Sequence, residues 1–370
     1  VRIKINDSLA DNTTYSLQFG NAIRDVNENN IAKNLTYVFS TGQQIDTGSF
    51  FGRVQMAETG LIDSTLIVGL YPAEKDSAVF TSNPPFIAKL NGKGRFAFHF
   101  LPNKKFNAFV LPNEYSKKYD DSTKLFAFLD APIQIGSKLD SQSFFVFQAF
   151  KKIDKRKYTT KNKQATVFKI QKYLDQGQQD QMQPLHLGYD FPIIWNTPRP
   201  FILTDSNHKV LENVTFYKDS LDEKLFYVSH PWEHNNKYEL IIPKGSISDT
   251  NHVTNTLQDT VKFTVKPENA YGSVIFRLNG LTQFKHPVLL ITSDNKVKFS
   301  YPILNSVLRV GKIIPGEYQI KILEDENLNG KWDNGLYHLM HKQPEKVWDM
   351  NLKVNIKGDW ENEFNLNLNK

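Results

Sequence analysis

At 370 residues the chain is too long for one ordinary hydrophobic core and suits two to four domains. Hydrophobic residues at 40%, with 27 Phe and 15 Tyr, exclude a mainly disordered chain; the absence of cysteine excludes disulfide scaffolds, thiolate metal sites and cysteine nucleophiles. The net charge of +6 resides in one stretch, 151–163, with seven basic residues and one acid, so the remainder is neutral and no basic face for nucleic acid is expected.

The predicted elements are almost all strands. Val1-Arg2-Ile3-Lys4-Ile5 alternates from the first residue, and its opening without Met leads us to expect that the natural N-terminus and its targeting signal lie outside the chain. Phe96, Phe98 and Phe100 alternate with Arg95, Ala97 and His99, and Phe145, Phe147 and Ala149 with Val146, Gln148 and Phe150. Val167 to Leu174 is the one stretch that suits a short helix. Tyr238-Glu239-Leu240-Ile241-Ile242 reads as a strand stopped by Pro243, and Tyr318, Ile320 and Ile322 mark another. No run approaches 18 apolar residues, so no membrane-spanning helix is expected. The class is all-β, built as a tandem array of sandwiches.

Internal repeats divide the chain. Asn12-Thr13-Thr14-Tyr15, Ile23-Arg24-Asp25-Val26-Asn27 and Tyr37-Val38-Phe39-Ser40-Thr41 match Asn235-Asn236-Lys237-Tyr238, Ile247-Ser248-Asp249-Thr250-Asn251 and Val261-Lys262-Phe263-Thr264-Val265. A second pair follows. Phe51-Gly52-Arg53-Val54 matches Tyr271-Gly272-Ser273-Val274. Leu101-Pro102 matches Ile314-Pro315, and Lys118-Tyr119-Asp120 matches Lys331-Trp332-Asp333. The expected order is A-B-A-B. The first A, 1–46, holds only the C-terminal half of its module. The first B spans 47–150. A basic linker and the second A fill 151–268, and the second B spans 269–370.

The A pattern, from Tyr15 through Asp25-Val26-Asn27 to Phe39-Ser40-Thr41, resembles the Ig-like domain of the SbsA type found in bacterial S-layers. The B pattern carries Gly52-Arg53-Val54, Glu58-Thr59-Gly60, Leu70-Tyr71, Gly92-Lys93-Gly94-Arg95-Phe96 and Leu101-Pro102. It resembles the transthyretin-like or carboxypeptidase-regulatory-like sandwich. The order of the two is similar to that of Bacteroidetes Ig-like-domain outer-membrane lipoproteins. That resemblance implies alternating Ig-like and transthyretin-like sandwiches. It also implies a lipoprotein on the periplasmic or cell-surface face of the outer membrane, with envelope proteins as partners and a lipid anchor not in this chain. The tripeptides beginning Asp-Ser or Asp-Thr are similar to the O-glycosylation acceptor motif of that lineage. They make Ser8, Ser64, Ser77, Ser122, Ser220 and Thr260 candidate acceptors. In any β protein the same tripeptides begin turns.

Few residues suggest chemistry. Asp325, Asn327, Asn329 and Asp333 take positions 1, 3, 5 and 9 of an EF-hand-like loop, with Gly330 at position 6 and the Lys331 carbonyl at position 7. A weak structural Ca2+ is the expected cofactor there, because Leu336 stands where the closing bidentate Glu would be. The same residues also suit an Asx-rich hairpin turn. His230 and His234 have zinc-pair spacing, but Pro231 disfavours the helix that pair needs, and His338 with His341 is judged alike. Gly92 to Ala97 fits GxGxxA yet leads into a strand, so it reads as a hairpin turn and not a phosphate loop. No GxSxG elbow or phosphate-binding GxxxxGK[ST] loop occurs. The segment Phe144 to Phe150 is apolar on both faces and should be covered on both, by its own sandwich and by a neighbour.

The sequence therefore points to a non-enzymatic extracytoplasmic scaffold or accessory lipoprotein of an outer-membrane complex, such as a barrel-assembly or secretion machine. The alternative is a glycan-binding or adhesin protein using Trp232 or the loops near Trp332.

Overall fold

Apolar alternation and turn chemistry decide the strands. In Arg95–Leu101 the side chains of Phe96 and Phe98 point inward while Arg95, Ala97 and His99 face out. The preceding turn is held by Asn91, whose side-chain oxygen accepts the N–H groups of Lys93 and Arg95, and Gly94 takes the left-handed conformation. The computed structural model describes residues 3–368 apart from 7, 33–34, 76, 137–139, 151–166, 221 and 339. The basic segment 151–163, Asp7, Asp76 and Leu221 thus lie outside the described residues, as do Val1 and Arg2. Ile3 to Ile5 form no strand.

The molecule is a tandem array of β-sandwiches. In the first sandwich one sheet runs through Phe86–Lys89, Leu66–Pro72, Lys105–Pro112, Leu125–Phe128, Gln142–Gln148, Gly48–Met56 and Arg95–Leu101. The sheet turns back on itself where Phe147 pairs with Phe126. Its two halves enclose Phe50, Val54, Leu70, Phe96, Val110 and Phe144.

The last hundred residues repeat much of this plan, in two separate sheets and with one long strand, Lys346–Ile356, where the first sandwich has Leu125–Phe128 and Ile133–Gln134. Gly48–Met56 pairs antiparallel with Arg95–Leu101 and parallel with Gln142–Gln148; Gly272–Asn279 does the same with Val307–Ile313 and Glu361–Asn367. Leu66–Pro72 lies between Phe86–Lys89 and Lys105–Pro112, as Pro287–Ser293 lies between Lys296–Pro302 and Gly316–Glu324.

Between these two sandwiches, residues 167–266 form an Ig-like sandwich of two four-stranded sheets. One sheet holds Gln171–Lys172, Leu185–Gly188, Leu225–Ser229 and Thr215–Lys218. The other holds Gln178–Gln179, Asp259–Val265, Lys237–Ile242 and Ile202–Asp205. The helix expected over Val167 to Leu174 does not form: Gln171 and Lys172 pair with Gly188 and Leu187, and tertiary pairing overrides a weak local preference. Near the N-terminus, Thr14–Gln18 and Thr36–Ser40 make a two-stranded antiparallel sheet.

Candidate functional site

The two-faced strand finds its cover inside the chain. On Gln142–Gln148, Phe144 and Val146 enter the core of the first sandwich. Phe145 and Phe147 face the other way, into a second aromatic cluster shared with the last sandwich. Tyr337, on the loop after Gly316–Glu324, is the plug of that cluster. Its ring lies 5.0 Å from Phe126, 4.8 Å from Phe128 and 5.6 Å from Phe109. Asn334 fastens the loop by donating to the carbonyls of Gln148 (2.6 Å) and Ala149 (3.0 Å), and Gln343 donates to the Phe128 carbonyl (3.1 Å). Gly335 is required here, since a Cβ would stand 2.9 Å from the Phe147 ring.

Backbone joins the sandwiches as well. The Val347 N–H donates to the Ala57 carbonyl at 2.9 Å. Lys321, almost wholly buried, donates from Nζ to the Thr59 carbonyl at 2.6 Å, with Asp349 at 3.8 Å; burial lowers its pKa and Asp349 counters the shift. The Ig-like sandwich docks on the last one through Tyr271, whose hydroxyl donates to Asp180 and accepts the Gln181 N–H. One joint thus combines aromatic packing with hydrogen bonds and the other rests on the polar contacts of Tyr271.

The Asx-rich loop follows Gly316–Glu324. Asp325, nearly buried, accepts the N–H groups of Asn329 (3.2 Å) and Gly330 (2.7 Å). The Asn327 and Asn329 carboxamide oxygens accept the N–H groups of Asn329 and Lys331, and both carboxamide nitrogens donate to one oxygen of Asp333. The loop is clamped by Glu345, a residue that the motif does not reveal. Its carboxylate accepts the N–H of Glu326 and of Asp333, each at 2.8 Å. Burial raises the Glu345 pKa, opposed by those two bonds and assisted by the charges of Asp325 and Asp333. Asp325, Asn327, Asn329, Lys331 and Asp333 are thus brought together on one turn. Among the described residues no three His, Asp or Glu side chains converge as a metal set, so any ion here must rely on carboxamide and backbone oxygens.

The tryptophans and histidines take other places. Trp232 is buried in the Ig-like core against Tyr238 and Phe263 and donates to the Gln183 carbonyl at 3.1 Å. This corrects its expected role as an exposed sugar platform. Trp332 is half-buried and donates to the Glu345 carbonyl at 2.8 Å. His230 holds the Asn213 carbonyl at 2.8 Å and His341 stacks on Tyr337 at 4.5 Å. Ser8, Ser64, Ser77, Ser122 and Ser220 are exposed, while Thr260 is half-buried within Asp259–Val265.

One constellation escaped the sequence reading. Tyr173, His186, Tyr227 and Tyr217 form a row across the outer face of the sheet 171–229, with ring spacings of 4.2, 4.7 and 5.2 Å. Near-parallel rings this close overlap as slipped stacks, leaving free faces only at the ends. The end rings, Tyr173 and Tyr217, are the exposed ones. Three strands and the residue just after Gln171–Lys172 supply one ring each, and only the strand pairing aligns them.

Residues 1–41 match the family model of the bacterial Ig-like domain. A search of curated proteins found no match. Among solved structures, the major pilin subunit BcpA of Bacillus cereus is similar at 10% identity, covering 88% of this chain and 100% of that one, with a TM-score of 0.20. The T6 backbone pilin of serotype M6 Streptococcus pyogenes gives 9% identity, 85% and 81% coverage, and 0.19. The Bacillus anthracis TIE protein gives 15%, 56% and 41%, and 0.17. At such identities and scores these likenesses carry no inference about what the chain does.

Proposed function

We propose that the chain is a non-enzymatic extracytoplasmic scaffold, an accessory lipoprotein of an outer-membrane complex. The observation that carries this reading is the Tyr337 joint. It fuses two sandwiches of like topology into one body, a design suited to holding surfaces at a set distance and orientation. In this reading the strand pair near the N-terminus belongs to an Ig-like module. In the same reading the five exposed Asp-Ser serines are O-glycosylation acceptors. Purification from the native membrane in mild detergent, with mass spectrometry of the co-purifying proteins, tests the scaffold role. Stoichiometric recovery with an outer-membrane barrel protein is expected; recovery of the chain alone sinks the proposal.

A second reading, a surface glycan-binding protein, is favoured by the aromatic row ending in Tyr173 and Tyr217. A glycan array with the Tyr173→Ala and Tyr217→Ala variants separates it from the first.

A further inference from the structure

The strand pair Thr14–Gln18/Thr36–Ser40 carries an apolar face that nothing covers among the described residues. No described residue before Phe50 belongs to any of the buried hydrophobic clusters. Tyr15 stands opposite Phe39 and Leu17 opposite Tyr37, so all four side chains lie on one face of the pair. Ile3, Ile5, Phe19 and Leu35 continue that face into a groove of about 590 Å³. Ile3, Ile5, Leu35 and Tyr37 are exposed, and no charged side chain among the described residues lines the groove. A contiguous exposed apolar patch of this kind marks an interaction surface.

The repeated pair defines what such a face requires. In Lys237–Ile242/Asp259–Val265 the matching residues Tyr238, Phe263, Leu240 and Val261 are all buried. Their cover is an antiparallel sheet that turns Leu185, Leu187, Phe226 and Val228 inward. The fitting partner is therefore an uncharged sheet face of aliphatic and aromatic side chains. Within the described residues the other faces of that chemistry are already enclosed, in the three sandwich cores and between the first and last sandwiches. The matching face left open is that of the strand pair itself.

We propose that this face docks against the same face of a second copy of the chain, two two-stranded sheets stacking into a four-stranded sandwich. About a two-fold axis each copy gives and receives the same contacts, so one self-complementary patch closes the assembly at two. An uncharged face meets its own copy without like-charge repulsion. A lone two-stranded sheet is marginally stable in water, and the second copy supplies the layer it lacks. One strand pair with its flanking residues makes a small interface, so the dimer belongs with the transient class and forms as concentration rises. It holds whether or not the chain is a scaffold.

Sedimentation velocity of the full chain over a roughly hundredfold range of concentration is the test. The monomer mass should give way to twice that mass as concentration rises. Tyr37→Lys should hold the chain at the monomer mass, because a charge then enters the apolar interface and faces the like charge of its copy. Tyr37→Glu should do the same, and an equimolar mixture of the two variants should recover the dimer. Circular dichroism of both variants should match the parent, since the strand pair forms within one chain. Tyr115→Lys, at an exposed position on the first sandwich, should dimerise as the parent does. Should the Tyr37 variants fail to fold, Leu35→Asp at the exposed end of the groove carries the same test. A parent that stays monomeric throughout, as it would if the face served a different partner, overturns the proposal. So does a dimer that survives in Tyr37→Lys, or a mixture of the two folded variants that stays monomeric.

Discussion

The strand pair Thr14–Gln18/Thr36–Ser40 and its repeat, Lys237–Ile242/Asp259–Val265, fold alike and are buried differently. Tyr15 faces Phe39 and Leu17 faces Tyr37, as Tyr238 faces Phe263 and Leu240 faces Val261. The turns agree as well. Asp25 accepts the N–H groups of Asn27, Glu28 and Asn30, and Asp249 those of Asn251 and Val253. Yet Tyr37 is 60% exposed while Val261 is wholly buried. Around the first pair lies an open apolar groove of about 590 Å³, lined by Ile3, Ile5, Leu17, Phe19, Tyr37 and Phe39. Around the second, the sheet 171–229 fills that place with Leu185, Leu187, Phe226 and Val228. Local pattern and turn chemistry set pairing and register; burial requires an opposing sheet.

The largest break in this likeness comes from charge. Val261→Lys should unfold the Ig-like sandwich, because the new ammonium has no partner in that core, whereas Tyr37→Lys should fold as the parent does. Circular dichroism melts of the two variants check this, and equal melts would contradict the burial contrast. Next, Leu240→Ala should cost about 2–5 kcal/mol in urea unfolding, with Leu17→Ala at about 1 kcal/mol or less. Smaller again, Asp249→Ala should cost about 1–3 kcal/mol, since two N–H groups beside a nearly buried carboxylate lose their acceptor. Asp25→Ala, at an exposed turn, should cost less than that in the same experiment.

The smallest effect is a titration. The N–H groups of Glu28 and Asn27 hold the Asp25 carboxyl below its ordinary value of 3.8. A depressed folded pKa contributes stability above the unfolded value and loses it as pH falls through the folded one. Carboxyl-carbon NMR should therefore place the Asp25 midpoint below 3.8. A midpoint at the ordinary value would mean that the turn is not formed in solution.

Much of the fold is legible in the residues. The alternation of Phe96 and Phe98, the Asn91–Gly94 turn and the paired repeats all rest on short-range chemistry. The same holds for the Asx turn at Asp325, whose oxygens and backbone donors lie within five residues. Other features were not legible for an equally physical reason. Trp232 sits in an irregular stretch, and nothing local says that its side chain turns inward. The Val167–Leu174 segment lacks a strong signal of its own, so a partner strand decided its state.

The sequence by itself determined the all-β class, the likeness of the strand pair Thr14–Gln18/Thr36–Ser40 to Lys237–Ile242/Asp259–Val265 and its register, and the two-sided need of Phe144 to Phe150. Only the tertiary structure decided that Tyr337 meets that need, that Lys124 ties down one loop through Glu114 and Asp120 while Glu345 clamps the other, and that four rings align on a face of the Ig-like sandwich. Those contacts join residues on different strands, loops or modules, where periodicity carries no information about the partner and close packing alone selects it.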